Sequence, residues 1–266
     1  MSRTAAVLCL FGAAVVLLGV TAAQPASAER ITMRYEIYGL FGIQVLELHT
    51  SLDEDGRRYQ VAANYATTGI AGVIVPQSTQ AVATGRLGPG TAFPDTFRND
   101  TKRSGTERRS VIRYKDDGTV DGSSQPPPHN PVPAAEMRNT VDNLTAYLRV
   151  ERQVATKGSC DMTAPVFDGR YRYDLVFSTG GRENLTPRSG QKFTGPAVVC
   201  RMVRHNRIVE EAEKNEGASQ GTVWYATNLI PEHVVPVRMR LETQIGAVDA
   251  YLAELHGHGV DLKLIE

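Results

Sequence analysis

The sequence predicts an all-β fold, built as a strongly curved antiparallel sheet or incomplete β-barrel with one main helix. Apolar and polar residues alternate along most of the chain, and clusters of turn-forming residues separate the alternating runs. Helical periodicity is convincing in one stretch, residues 141–156. A curved sheet with one helix across its opening encloses an apolar concavity without catalytic geometry.

The N-terminal residues have the pattern of a secretory signal peptide. Arg3 gives a basic start, residues 5–18 are apolar, and a small-residue motif ends at Ala28. The apolar run is short for a membrane span, which needs about 20 residues, and a retained anchor is the alternative. We therefore expect export to the periplasm with cleavage after Ala28, a single β-rich domain over residues 29–266, and no transmembrane span after signal removal.

Charge and cysteine content narrow the classes of function. The chain has 29 basic and 29 acidic residues, which argues against a general nucleic-acid-binding protein. Cys9 lies in the leader, so Cys160 and Cys200 remain, and in an oxidising compartment they are expected to form one disulfide. A metal site is the alternative, but no Cys-x-x-Cys pair or paired histidines accompany these cysteines. We expect neither a metal nor a cofactor.

The N-terminal half has the pattern of a β meander. Gly39 and Gly42 indicate a bend within its first long strand. Residues 69–76 form a continuous apolar run closed by proline, which fits a buried strand, a short helix or an apolar loop over an opening. Strands are expected over residues 31–52, 57–68, 79–87, 93–99 and 108–114.

A proline-rich segment and the helix separate the two β-rich halves. Residues 122–133 are expected to form an extended surface connector. The helix is expected over residues 141–156, with Thr140 as its N-cap and Gly158 as its stop. Its mostly apolar stripe, expected to lie against the sheet, consists of Leu144, Tyr147, Leu148, Glu151 and Val154. Further strands are expected over residues 195–205, 222–228, 234–243 and 247–255.

The most informative stretch is the predicted hairpin at residues 166–177. Asp168 and Gly169 tolerate the positive φ angles of a tight type I′ turn. One face of the following strand is either core or ligand lining, and it carries Tyr171, Tyr173, Leu175 and Phe177. The other face is either a structural ion pair or a polar site, and it carries Arg170, Arg172 and Asp174.

The sequence gives little support to an enzyme. Residues 217–221 match the G-x-S-x-G pattern of hydrolases, but a charged loop precedes them and a strand follows. The hydrolase nucleophile requires a strand, a sharp turn and then a helix. The histidines lack a carboxylate cluster to orient them as metal ligands. We therefore expect no catalytic residues.

Several motifs together resemble a known family. They are Thr67-Thr68-Gly69, Thr140-Val141-Asp142, the hairpin stretch of residues 166–175 between Cys160 and Cys200, Gly195-Pro196-Ala197-x-x-Cys200 and Val235-Pro236-Val237-Arg238. Across most of its length after the leader, the chain resembles the proteobacterial domain-of-unknown-function family 3108. The resemblance implies an exported envelope protein with a large curved β-sheet, similar to the half-barrels of lipoprotein carriers. It implies no reaction and no catalytic residue.

Two functions follow as expectations. The first is a non-enzymatic periplasmic protein that binds or carries a lipid or acylated ligand in support of envelope integrity. The second is an envelope scaffold that binds protein partners through its sheet edge or proline-rich loop. An interior pocket lined by apolar side chains would favour the first function, and a filled interior would favour the second.

Overall fold

The computed structural model describes residues 29–39, 42–188, 190–214, 217–243 and 246–264. The predicted leader and its cleavage after Ala28 lie outside these residues. The strands are β1 (Glu29–Tyr38), β2 (Gln44–Glu54), β3 (Arg58–Thr67), β4 (Gln77–Gly88), β5 (Thr91–Arg103), β6 (Thr106–Tyr114), β7 (Val120–Gln125), β8 (Met162–Phe167), β9 (Arg172–Leu185), β10 (Gly195–Ile208), β11 (Gln220–Ile230), β12 (His233–Thr243), β13 (Gly246–Gly257) and β14 (Val260–Lys263). The helices are α1 (Gly69–Ile74), α2 (Ala134–Met137) and α3 (Asn143–Lys157).

The described strands join in one antiparallel sheet. Their order is β7-β6-β5-β4-β3-β2-β1-β13-β12-β11-β10-β9-β8, and β14 pairs with the end of β13. The sheet therefore has two arms, an N-terminal one of β1–β7 and a C-terminal one of β8–β14. They meet where β1 pairs with β13, with Met33 opposite Leu255. Helix α3 contacts β3, β4 and β5 on one arm and β8 and β12 on the other, so the sheet curves around it. The predicted all-β fold with a curved, unclosed antiparallel sheet is confirmed.

The two edge strands approach each other without pairing along the described residues. Phe167 at the end of β8 lies so close to Gly122 of β7 that a Cβ on this glycine would sit 2.4 Å from the ring. After β8, a Cβ on Gly169 would sit 2.5 Å from the Cβ of Ser110 on β6. Close packing at these two contacts therefore holds the edges of the incomplete barrel near each other, although the edge strands do not pair. We call this region, defined by Gly122, Phe167, Ser110 and Gly169, the seam.

Helix α3 begins two residues later than predicted, with a different cap. The Asp142 carboxylate accepts hydrogen bonds from the Thr145 backbone N–H at 2.8 Å and from its hydroxyl at 2.7 Å. Thr140 is therefore not the cap, and its hydroxyl donates instead to the Met137 carbonyl at 2.6 Å. A carboxylate satisfies the free N–H groups of a helix start particularly well, since it also faces the positive end of the helix dipole. The helix stops as predicted at Gly158, whose φ is 65°.

The predicted stripe of α3 serves two different purposes. Val154 packs in a buried cluster against β8 and β9, together with Val150 and Ala146, which lie one and two turns earlier. Leu148 is buried in the other core cluster, and Leu144 and Tyr147 pack against buried residues while also bordering an internal cavity with Glu151. The predicted stripe therefore packs on the sheet as expected in its apolar part, but it also faces the cavity, which was not predicted.

The proline-rich connector is shorter than predicted. Its first four residues, 122–125, belong to β7, where Gly122 pairs with Ile112 of β6. Their sequence has low β propensity, so local pattern did not indicate a strand. The neighbouring strand β6 supplies the backbone partners that hold them extended. The connector proper begins at Pro126.

The Cys160–Cys200 disulfide is present, as predicted. Cys160 follows the end of α3 by three residues, and Cys200 lies on β10. Both cysteines are buried, with Cα atoms 5.7 Å apart. The bond therefore fastens the C-terminal end of the helix to the middle of the C-terminal arm.

Candidate functional site

A cavity of about 1940 Å³ lies inside the curve of the sheet, beside α3. Ligand pockets for drug-sized molecules are typically about 300–1,000 Å³, so this cavity has room for a larger ligand. Side chains from most strands point toward it, since successive residues of a strand face opposite sides. On the N-terminal arm these side chains include Met33, Ile37, Leu46, Leu48, Val61 and Ala63.

The C-terminal arm and the helix complete an apolar wall. The arm contributes Leu175, Met202, Val223, Met239, Leu241 and Val248. Helix α3 contributes Leu144, Tyr147 and Leu148, which also border the cavity. Aliphatic and methionine side chains without hydrogen-bonding groups thus dominate the cavity wall, which suits an apolar ligand.

Helix α1 places apolar side chains at the rim of the cavity. Ile70 and Ile74 border the cavity yet are 69% and 72% exposed, and Val73 beside them is 84% exposed. Thr67 fixes the ends of this segment, because its hydroxyl donates to the Val75 carbonyl at 3.0 Å and accepts from the Gln77 N–H at 2.9 Å. Of the three structures that fitted residues 69–76, the short helix at an opening is therefore the one observed.

The predicted aromatic row is both core and cavity lining. Tyr171, Tyr173, Leu175 and Phe177 are all buried in one cluster. The first three also border the cavity, whereas Phe177 meets the edge of Tyr147 at a ring-centroid distance of 5.9 Å. The alternation of this strand therefore placed Tyr173, Leu175 and Phe177 correctly on the inner face, and Tyr171 in the preceding turn also borders the cavity.

The predicted polar row divides into two groups. Asp174 accepts from Arg172 at 2.6 Å and from Arg207 at 2.8 Å, and these bonds outweigh the effect of burial and lower the pKa of Asp174. Arg170 does not join this ion pair. It lies before β9 begins, where it donates to Glu213 at 2.8 Å and borders the cavity. The expectation of a single row is wrong for Arg170, because the alternation of a strand does not extend into a turn.

The hairpin turn has four residues, where two were predicted. Phe167 pairs with Arg172, so the turn comprises residues 168–171. The Asp168 carboxylate accepts from the backbone N–H groups of Arg170 at 2.9 Å and Tyr171 at 2.7 Å. Gly169 has φ 94°, but Asp168 has no positive φ, so the type I′ assignment is wrong. An aspartate that bonds its own following backbone favours this wider turn.

Glu151 is the site residue whose role the sequence did not reveal. Its carboxyl borders the cavity from the middle of α3, and within the described residues no hydrogen bond or ion pair reaches it. Burial, together with the nearby charge of Glu54, raises the pKa of Glu151 from 4.5 to about 8. The available signal was a lone carboxyl in an otherwise apolar helical stripe.

The raised pKa of Glu151 should make the free energy of unfolding decrease as the pH rises. A carboxyl whose folded pKa exceeds its unfolded pKa binds its proton more tightly in the folded state, so its contribution is complete below pH 4.5 and is lost as pH rises through about 8. Relative to the wild type, we expect Glu151→Gln to raise the free energy of unfolding by about 2 kcal/mol at pH 8.5 and by less than about 1 kcal/mol at pH 5. The value at pH 8.5 is about half of what the full pKa shift implies, because the side chain is only partly buried. Urea unfolding at both pH values measures this difference.

A surface variant controls for the loss of a charge. Glu136 on α2 is exposed, so Glu136→Gln should follow the wild-type pH profile. The interpretation of Glu151 would be contradicted if Glu151→Gln also ran parallel to the wild type from pH 5 to 8.5.

Other candidate chemistries have little support in the described part of the chain. Its His, Cys, Asp and Glu residues form no group of three or more that could hold a metal ion. Ser219 of the G-x-S-x-G stretch lies just before β11, where its backbone N–H donates to the Glu242 carbonyl at 3.2 Å. None of the described helices has the length and apolar character needed to cross a membrane.

Comparison with known proteins supports the fold and the family. The structure is similar to the crystal structure of a β-barrel-like protein of domain of unknown function DUF1849 from Brucella abortus, with a TM-score of 0.51 and 11% sequence identity over 89% of this chain and 100% of that chain. At this identity the similarity shows the fold alone. No curated protein matches the chain significantly. The sequence model of the family described as "Protein of unknown function (DUF3108)" matches residues 34–253, and the chain therefore belongs to the DUF3108 family.

Proposed function

We propose that the protein is a non-enzymatic periplasmic carrier that binds a lipid or acylated ligand in its interior and so supports the cell envelope. The observation that carries this proposal is the cavity of about 1940 Å³ with its mainly aliphatic wall. An acyl chain matches such a wall, because its surface is apolar along its whole length and it needs no hydrogen-bond partners. Each methylene transferred from water contributes about 0.8 kcal/mol before ordering costs, so a chain of about ten methylenes gains several kcal/mol.

The exposed apolar residues of α1 support reversible exchange of such a ligand. Ile70 and Ile74 border the cavity and face solvent as well. An acyl chain that leaves the cavity would therefore pass along apolar side chains before it meets water. Exposed apolar patches commonly mark sites of contact with membranes or partners. A scaffold that only binds proteins is less well supported, since it would have no need of an unfilled interior.

A bulky side chain inside the cavity should displace the ligand. Ala63 and Ala66 both lie on β3, but Ala63 borders the cavity whereas Ala66 is exposed. We expect Ala63→Trp to weaken binding of a fluorescent fatty acid at least about tenfold, because the indole occupies space that the chain needs, while Ala66→Trp binds as the wild type does.

Titration of each delipidated protein with this probe measures the affinity. Circular dichroism confirms that each variant is folded. Absence of saturable binding by the folded wild type would reject the carrier proposal. Equal affinity of the Ala63→Trp and Ala66→Trp proteins would show that the probe binds outside the cavity.

A further inference from the structure

The wall of the cavity is mainly apolar but carries several polar side chains, among them a carboxyl in the middle of α3. Glu151 lies on the cavity face of α3, one turn after Tyr147 and Leu148. Its carboxyl takes part in no hydrogen bond or ion pair with any described residue. Glu151 is only partly buried, so a molecule in the cavity can reach its carboxyl. A ligand bound there can supply the hydrogen-bond partner that the described residues do not.

The neighbours of Glu151 leave its carboxyl facing the ligand space. The next residue, Arg152, donates to Glu54 at 3.3 Å, so these two opposite charges satisfy each other. Both also border the cavity, at the same end as His233. The nearby tyrosine Tyr35 directs its hydroxyl to the Met33 sulfur at 3.1 Å. Polar groups are thus gathered at one part of the cavity, and among them the carboxyl of Glu151 has no hydrogen bond or ion pair to a described residue.

We propose that Glu151 is the polar anchor of the cavity, and that the ligand is an amphiphile whose uncharged, hydrogen-bonding head group contacts this carboxyl while its acyl chain lies along the apolar wall. The inference rests on the proposed function and specifies the ligand class. A protonated carboxyl can donate one hydrogen bond and accept others, so it matches hydroxyl, ester and amide groups. A charged head group would lack a free counter-charge there, because the charges of Glu54 and Arg152 are already paired with each other.

The apolar setting of the carboxyl supports an uncharged head group. Burial and the neighbouring Glu54 raise the pKa of Glu151 to about 8, so the neutral form prevails at neutral pH. Hydrogen bonds between uncharged groups cost no desolvation of a full charge. The head group and carboxyl can therefore satisfy each other without disturbing the apolar wall.

Two substitutions at Glu151 separate hydrogen bonding from charge. Glu151→Gln keeps a neutral donor and acceptor of similar size, whereas Glu151→Leu removes both. The probes are a pyrene-labelled monoacylglycerol, which has an uncharged hydroxyl head group, and a pyrenyl alkane of the same chain length without a head group. We expect Glu151→Leu to weaken monoacylglycerol binding about five- to tenfold, with Glu151→Gln within about threefold of the wild type. Binding of the pyrenyl alkane should be unchanged or tighter in Glu151→Leu.

The outcomes distinguish the anchor from the carrier. If the folded wild type bound neither probe, the proposed function and the anchor would both be rejected. If the wild type and Glu151→Leu bound the monoacylglycerol equally well, the role of Glu151 as an anchor would be rejected, but the proposed carrier function would not. Tighter wild-type binding of a pyrenyl alkylammonium than of the monoacylglycerol would overturn the uncharged head group. Thermal melting confirms that each variant is folded, which we expect of Glu151→Leu because it removes an unpartnered polar group.

Discussion

Removal of the Cys160–Cys200 disulfide is expected to lower the free energy of unfolding by about 3–4 kcal/mol. The bond closes a loop across a sequence separation of 40 residues, and the loop-closure entropy that it removes from the unfolded chain gives this magnitude. Because Cys160 follows the end of α3 so closely, its loss should also loosen the helix that carries Glu151. Guanidinium unfolding of the Cys160→Ala/Cys200→Ala double variant measures the change. Alanine avoids placing a hydroxyl at two buried positions.

Reduction of the wild type provides the control for this prediction. Wild-type protein in a reductant should lose stability to a similar extent, whereas the double variant should not respond to the reductant. Thiol titration of unfolded, unreduced wild type should find neither Cys160 nor Cys200 free. Equal unfolding midpoints for the wild type and the double variant would contradict the expected contribution of the bond.

The second large effect is expected from Gly169→Val, at about 3 kcal/mol or more of lost stability. The residue has φ 94°, which a β-branched side chain resists strongly. A new Cβ would also sit 2.5 Å from the Cβ of Ser110 and so push the β8–β9 turn away from β6. The seam where the two arms approach should therefore open, and ligand binding should fall together with the melting temperature.

Gly181 offers a matched control for the backbone contribution. It lies on β9 with φ 110°, but a Cβ there would meet nothing within 4 Å. Gly181→Val therefore carries the conformational cost alone, and Gly169→Val should be the more destabilising of the two by the contribution of the clash. If both variants melted at the same temperature, the packing of Gly169 against Ser110 would contribute nothing to the seam.

The alternation of apolar and polar residues predicted the fold class well, but it could not predict which distant strands pair. The alternation of Met33, Tyr35 and Ile37 placed these side chains on the inner face of β1, because alternation depends only on neighbouring residues. It could not reveal that β1 pairs with β13, since a period of two fixes the face of a strand and not its partner. The polar β7 was missed because its residues have low β propensity and are held extended by pairing with β6.

The cavity itself depends on contacts between distant parts of the sequence. Tyr59 and Thr145 join β3 to α3 by a hydroxyl contact of 2.7 Å, and Arg149 donates to the Ala92 carbonyl at 2.7 Å. These tethers fix the position of the helix relative to the sheet, and the space left beside it follows from them. A helical pattern can show that Glu151 shares a face with apolar residues, but it cannot show that this face borders empty space.

Mass spectrometry of lipids extracted from detergent-free protein, purified from the cells that produce it, tests most directly whether the cavity carries an acyl ligand. The wild type and Ala66→Trp should release a defined acylated molecule in near-stoichiometric amount, whereas Ala63→Trp should release little. Such a ligand should also carry an uncharged hydrogen-bonding head group. The account would be contradicted if folded wild-type protein released no lipid, or if Ala63→Trp released as much as Ala66→Trp.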